Sequence, residues 1–123
     1  MSLNLIIYPL VRRGAAALVE PEVFCPDRLC FDQDYELFSQ LTNHRSGQRS
    51  EFVKDLPKKL WILHFTETGI KRTRKDPLGT NLTYLPAGDF QKFQRSSKSS
   101  VNKGIFAYLA KLPKEIPVIL YWE

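Results

Sequence analysis

The chain has no apolar run long enough to cross a bilayer. Its longest apolar stretches, residues 3–11 and 118–122, are much shorter than the ~20 residues that a transmembrane helix requires. It also lacks a charged segment followed by an apolar core and a small-residue cleavage site, the pattern of a secretory signal. These absences predict a protein with no membrane partner and a cytoplasmic location.

Residues that commonly bind metals are scarce as well. The chain contains two cysteines, Cys25 and Cys30, and two histidines, His44 and His64, whose spacing fits no compact ligand pattern. We expect the thiols to be free in a reducing compartment and partly buried. His64 lies in an apolar stretch, where a hydrogen-bonded core residue is favoured over a titrating group in a pocket. The sequence therefore predicts no metal site and no cofactor.

No catalytic motif stands out. Asp32, Asp34 and Glu36 alternate in a way that could hold Mg²⁺ or Ca²⁺, but capping of a following helix explains the same carboxylates. Ser100 and Lys103 match Ser-x-x-Lys without the companion motifs of serine nucleophiles. A small metal-dependent hydrolase or nuclease that uses these carboxylates or His64 remains an alternative.

The composition is that of a folded domain. The 123 residues are 43% apolar and 25% charged, which is enough to build one hydrophobic core and too little for two. We expect a single domain over residues 1–123.

Hydrophobic patterning predicts an α+β fold. Its antiparallel or mixed sheet of four to six strands carries two main helices packed on one face. Residues 59–86 are expected to form a three-stranded meander. Residues 15–24 are ambiguous, because their alanines favour a helix, but Pro21 and the short length favour an extended segment that returns beside the first strand. Residues 25–33 are expected to be irregular, and residues 117–122 to form a central strand.

Two helices and a helical turn are predicted. Residues 34–44 form a short helix capped by Asp32 or Asp34, and residues 87–94 form a single turn. The main helix covers residues 99–112, with Ser99 or Ser100 as its N-cap and Pro113 as its stop. The positions expected to share its buried face are Val101, Ile105, Tyr108, Leu109 and Leu112, with Asn102, Lys103 and Lys111 outside it.

Charge is distributed unevenly along the chain. Residues 1–44 contain three cations and six carboxylates, a net charge of −3, whereas residues 45–123 contain fifteen cations and seven carboxylates, a net charge of +8. Such asymmetry can steer an anionic partner, or the two parts of the chain can attract each other.

A basic hairpin is the first candidate site. Lys71, Arg72, Arg74 and Lys75 place four cations in five positions, just before a turn at residues 76–79. Cations on both faces indicate that neither face is buried and that the strand protrudes or lies at a sheet edge. Edge strands carry such cations to block unwanted pairing, but the same cations can contact phosphates. The run lacks the interleaved aromatic residues typical of proteins that bind single strands.

The second candidate lies at the start of the main helix. Cations and hydroxyls gather where free backbone N–H groups can bind an anion, although a capped helix after a serine-rich linker explains them as well. Its members are Arg95, Lys98, Ser99, Ser100 and Lys103.

The preferred hypothesis joins the two clusters. If they converge on one surface, the protein is a non-catalytic binding or adaptor module for an anionic partner, either nucleic acid or an acidic protein. A homo-oligomeric structural protein that pairs through an exposed apolar strand edge is the third hypothesis.

Overall fold

A computed structural model describes residues 3–42, 50–93 and 98–123. These ranges contain eight strands, two α-helices and two 3-10 helices, at Gly14–Val19 and Ala87–Lys92. The α-helices are α1 (Tyr35–Leu41) and α2 (Ser100–Lys111). The strands are β1 (Leu5–Pro9), β2 (Glu22–Phe24), β3 (Leu29–Cys30), β4 (Lys54–Asp55), β5 (Trp61–Thr66), β6 (Gly69–Thr73), β7 (Thr83–Pro86) and β8 (Pro117–Trp122). No helix in these ranges is long and apolar enough to cross a membrane.

Five strands form the central sheet, in the order β3-β1-β8-β7-β4 with antiparallel neighbours throughout. Every residue of β1 and of β8 is buried, which requires both faces of the sheet to be covered. The prediction that residues 117–122 form a central strand is confirmed.

Helices cover one face of this sheet. Leu5 and Leu120 point to that face and form one buried cluster with Leu37 of α1, Phe90 of the second 3-10 helix and Leu109 of α2. The predicted α+β class, with both main helices on one face of the sheet, is confirmed.

A second sheet covers the opposite face. It has three strands in the order β2-β5-β6, with β2 parallel and β6 antiparallel to β5. Ile6 and Ile119, whose side chains alternate with those facing the helices, join Val23 and Ile62 in a second buried cluster. The layers are therefore helices, five-stranded sheet and three-stranded sheet.

The predicted meander over residues 59–86 is wrong. The β5–β6 hairpin belongs to the three-stranded sheet, but β7 pairs with β8 in the central sheet. Asp76 makes the change of direction, because its Oδ1 accepts hydrogen bonds from the N–H groups of Leu78 and Thr80. Leu82 and Leu85, both fully buried, then enter opposite clusters, Leu82 the one between the two sheets and Leu85 the one under the helices.

Two further expectations about connections are corrected. Residues 15–24 form most of a 3-10 helix and then β2, which pairs with β5 instead of returning beside β1. The neighbours of β1 are β8 and β3. Ile6 lies opposite Cys30 of β3, so the stretch expected to be irregular contains a strand. Strands of two or three residues carry too little periodicity for the sequence to reveal them.

Both α-helices begin at predicted caps. The side chain of Asp34 accepts a hydrogen bond from the N–H of Leu37, and Ser99 Oγ accepts one from the N–H of Asn102. The predicted face of α2 is partly wrong, because Asn102 is only 2% exposed whereas Val101 and Tyr108 are 49% and 41% exposed. Asn102 turns inward since its amide binds the backbone of Asp32 in both directions, accepting at 2.7 Å and donating at 2.9 Å.

Candidate functional site

The two basic clusters lie on opposite sides of the central sheet. The hairpin belongs to the three-stranded layer and α2 to the helical layer. The expectation that they form one cationic surface is therefore wrong. Arg95 lies outside the described residues, and the other predicted anion-binding residues are considered cluster by cluster.

The start of α2 already has a carboxylate beside it. Ser99 Oγ donates a hydrogen bond to Asp32 Oδ2 at 2.5 Å and caps the helix at the same time. Lys98, Ser100 and Lys103 are exposed around this contact. Because Asp32 supplies the negative charge that the helix N-terminus favours, an external anion would have to compete with it.

The carboxylates considered as metal ligands also bind groups of the protein itself. Asp34 is buried as the cap of α1, and Asp32 is held by Ser99 and Asn102. Within the described ranges, no group of three His, Cys, Asp or Glu side chains is placed to hold a metal ion.

The hairpin arginines lie against their own sheet. Arg72 Nε donates to Glu22 Oε2 at 3.0 Å, and its guanidinium sits 4.0 Å from the ring centre of Trp61. Arg74 lies 5.7 Å from the same ring and donates to the carbonyl of Pro57 at 3.3 Å. Stacking on an aromatic face holds a guanidinium in place while leaving it charged.

The hairpin lysines are more available. Lys71 and Lys75 are exposed, and no carboxylate of the described residues lies within 4.0 Å of either. Strand β6 is an edge of the three-stranded sheet, as predicted. However, Thr73 is buried, so the face that it shares with Lys71 is partly covered by the core.

Aromatic residues reach the cations from neighbouring strands. Trp61 and Phe65 lie on the same face of β5. Phe65 lies opposite Ile70 of β6, and Phe24 of β2 contacts Phe65 edge-on with ring centres 5.1 Å apart. We call this outer side of the three-stranded sheet, with the β6 cations, the hairpin face. Its members on the outer side are Phe24, Trp61, Phe65, Ile70, Arg72 and Arg74, and Lys71 and Lys75 lie at its β6 edge, on the face that they share with the buried Thr73. The sequence run lacks interleaved aromatics, but strand pairing supplies them.

The exposure of these apolar side chains is high. Phe24, Phe65 and Ile70 are 43%, 59% and 62% exposed and adjoin one another. Contiguous apolar surface of this kind marks a contact site more often than scattered residues do.

His64 lies between the two sheets. It is 3% exposed, its Nδ1 is 3.1 Å from the hydroxyl of Tyr8, and its ring contacts those of Tyr8 and Tyr121. Nothing in the described part of the chain hydrogen-bonds its Nε2. Burial lowers the pKa of His64, and the nearby charges of Lys71 and Arg28 lower it further. This arrangement favours the structural interpretation, with a neutral imidazole at pH 7.

The two thiols differ. Cys25 is buried, and that burial raises its pKa to about 12, so it is a small core residue without thiolate character at neutral pH. Cys30 is exposed, which corrects the expectation that both thiols are partly buried.

Two grooves were not expected from the sequence. One, of about 340 Å³, runs beside β2 and is closed on its other side by residues 9–13. The second, of about 360 Å³, lies along α2, where Asn102, Lys103 and Phe106 contribute to its wall.

Comparisons of the chain with known protein families, with curated proteins and with solved structures found no match. The function is therefore inferred from the physical chemistry of its surfaces alone.

Proposed function

We propose that the protein is a non-catalytic binding module for an anionic partner, and that single-stranded nucleic acid is the partner best suited to its hairpin face. The observation that carries this proposal is that exposed aromatic rings and arginines share the outer side of one sheet, where Phe24 and Phe65 lie on the same face as Arg72. Lys71 and Lys75 are exposed along the adjoining β6 edge.

The cations of the edge would bind the backbone of the partner. Among the described residues, no carboxylate is paired with Lys71 or Lys75, so contact with phosphate breaks no ion pair in this part of the chain. Each such contact displaces condensed counterions and makes the affinity depend on salt. Within the described ranges, the ion pair of Arg72 is with the exposed Glu22, and an exposed pair of this kind contributes about 1 kcal/mol at most.

The rings would bind the bases. Phe24 and Phe65 expose large parts of their surfaces on the outer side of the sheet, and base–aromatic stacking contributes about 1–3 kcal/mol per base. An acidic protein would use the cations but gain little from these rings. Bases that are paired in a duplex cannot reach them, which favours a single strand.

The test is fluorescence anisotropy with a labelled 12-nucleotide oligothymidylate over a salt series. Lys71→Gln with Lys75→Gln should weaken binding at least tenfold and make the slope of log K against log salt shallower by about 1.4, since each single-strand phosphate contact contributes about 0.7. Lys111→Gln with Lys114→Gln removes the same charge from exposed positions outside both clusters and should change neither quantity.

A second variant separates the two classes of partner. Phe65→Ser should weaken oligothymidylate binding roughly tenfold, as expected for one lost stacking contact. Equal effects of the two lysine pairs, or absence of binding at 20 mM salt, would contradict the proposal. If polyglutamate competes fully and Phe65→Ser has no effect, the partner is an acidic protein.

The adjoining exposed side chains of Phe24, Phe65 and Ile70 also favour a second candidate, self-association through this face. Sedimentation equilibrium decides it. A dimer that Ile70→Ser converts to a monomer would support self-association, whereas a monomer at 100 μM would exclude it.

A further inference from the structure

The groove beside β2 has an unpaired strand edge as one wall. The opposite edge of β2 pairs with β5. There the N–H of Trp61 donates to the carbonyl of Pro21 at 2.9 Å, and the N–H of Cys25 donates to the carbonyl of Leu63 at 2.7 Å. Backbone groups of successive strand residues point in opposite directions. Pro21, Val23 and Cys25 therefore face β5, while the N–H and C=O of Glu22 and Phe24 face away from it.

These outward groups have no backbone partner. Among the described residues, none forms a backbone hydrogen bond with Glu22 or Phe24 on that side. Glu22 and Phe24 both line the groove, together with residues 9–13, and its volume is about 340 Å³. Small-molecule pockets range over about 300–1,000 Å³, so the space suits a short stretch of chain.

The two edges of this sheet are not equally protected. Strand β6 carries Lys71 and Arg72, and the chain just beyond it is bridged between Lys75 and Asn81. Cations on an edge discourage the addition of another strand. Strand β2 has Glu22, which is bound to Arg72, and the apolar Phe24. Its edge is the one that remains able to pair.

The charges of the groove fit a polypeptide better than a nucleic acid. Its walls contain two cations and three carboxylates, a net charge of −1, namely Arg12, Arg13, Glu20, Glu22 and Asp27. Arg13 is paired with Glu20, whereas Arg12 and Asp27 have no ion pair within the described ranges. Because Glu20 and Glu22 are each bound to an arginine, the groove offers one cation and one carboxylate, and a peptide can present charges of both signs to Arg12 and Asp27.

We infer that this groove binds an extended segment of another protein, which adds to the three-stranded sheet as a strand beside β2. Its backbone would exchange hydrogen bonds with Glu22 and Phe24, which gives affinity, and alternate side chains would enter the groove, which gives specificity. This site goes beyond the proposed function, since it uses the opposite edge of the sheet from the hairpin cations.

The experiment begins with panning of a random octapeptide phage library against the whole chain. Enriched sequences are made as synthetic peptides, and binding is measured by calorimetry. Phe24→Pro removes an outward N–H while leaving the bonds of Val23 and Cys25 to β5 in place. We expect it to weaken peptide binding at least tenfold relative to Phe24→Ala, which loses the ring but keeps the donor.

A second measurement uses the unaltered protein, so it does not depend on the folding of a variant. N-methylation of the peptide at each position in turn should abolish binding at alternate residues only, since every second N–H of an added strand faces β2. Lys71→Gln with Lys75→Gln should leave peptide binding unchanged, which separates this site from the hairpin face.

Three results would overturn the inference. The first is that no peptide is enriched. The second is that N-methylation weakens binding without alternation, or that Phe24→Pro and Phe24→Ala bind equally. The third is that the protein binds no peptide but forms a dimer that Phe24→Pro dissociates. The groove would then be occupied by a second copy of this chain.

Discussion

At the scale of single residues, a buried amide decides how α2 meets the rest of the molecule. Asn102 accepts from the N–H of Asp32 and donates to its carbonyl, so one side chain satisfies two backbone groups of a neighbouring segment. Buried polar groups that are fully hydrogen-bonded specify one packing arrangement. The apolar spacing of α2 could not reveal the burial of Asn102, because there the helix turns a polar residue inward.

Replacing Asn102 should therefore destabilise the fold although it removes no apolar surface. Asn102→Leu leaves the N–H and C=O of Asp32 without their partner, and each unsatisfied group costs about 1–3 kcal/mol. We expect the free energy of unfolding in urea to fall by about 2–4 kcal/mol. Lys111→Leu, at an exposed position of the same helix, should change it by less than about 0.5 kcal/mol. Equal effects would mean that the two bonds do not contribute.

His64 should make stability depend on pH. Its pKa is lowered in the folded state by burial, Lys71 and Arg28, so the unfolded chain binds a proton more readily. The stability that neutral His64 contributes is fully present above the ordinary pKa of about 6.5 and is lost as the pH falls below that value. The titratable and charged groups around it are Tyr8, Tyr121, Lys71 and Arg28.

The measurement is the free energy of unfolding between pH 7.5 and pH 5. The free energy of unfolding of the wild type, relative to that of His64→Phe, should fall as the pH falls, with a slope of at most about 1.4 kcal/mol per pH unit for one proton. His44→Gln, which removes the other histidine of the chain, serves as the control. If His64→Phe shows the same dependence of the unfolding free energy on pH as the wild type, then other groups cause that dependence.

At the scale of elements, long and strongly patterned segments were predictable and short ones were not. Strands β5 and β8 and helices α1 and α2 follow from apolar spacing, caps and Pro113. Strands β2, β3 and β4 have three, two and two residues, and their pairing depends on distant parts of the chain. The division into two sheets was missed because the turn at Asp76 redirects β7 to β8.

The corrected face of α2 leads to a prediction for the helix as a whole. Leu109 is fully buried against the central sheet, while its neighbour Tyr108 is 41% exposed. Leu109→Ala should lower the free energy of unfolding by about 2–5 kcal/mol, and Tyr108→Ala by less than about 1 kcal/mol. Urea denaturation of the two variants tests this. Comparable losses would favour the face expected from the sequence, on which both residues are buried.

At the scale of the whole molecule, the central sheet separates charges that the sequence places in one basic region. The cations of the candidate site were visible in the sequence, whereas Phe24 and Phe65 reach the hairpin only through strand pairing. The hydroxyls at the start of α2 were identified, but their contact with Asp32 was not. Since Asp32 and Ser99 are far apart in the chain, only the tertiary fold brings them together.

This separation predicts that the two clusters act independently on an anionic ligand. Packed sheets lie ~10 Å apart, and α2 lies beyond the far face of the central sheet, so the clusters are separated by more than the ~10 Å Debye length at 0.1 M salt. Oligothymidylate affinity is measured at that salt for three variants. They are Lys71→Gln with Lys75→Gln, Lys98→Gln with Lys103→Gln, and the combination of all four substitutions.

We expect the hairpin pair to account for most of the loss and the helix pair to change affinity less than twofold. Changes in binding free energy at distant, independent sites add to within about 0.3–0.5 kcal/mol, so the four-site variant should equal the sum of the two pairs. A coupling larger than this would mean that one ligand contacts both clusters. Because the central sheet lies between them, such a ligand would have to wrap around the edge of the molecule, and longer oligonucleotides would then show a greater coupling than short ones.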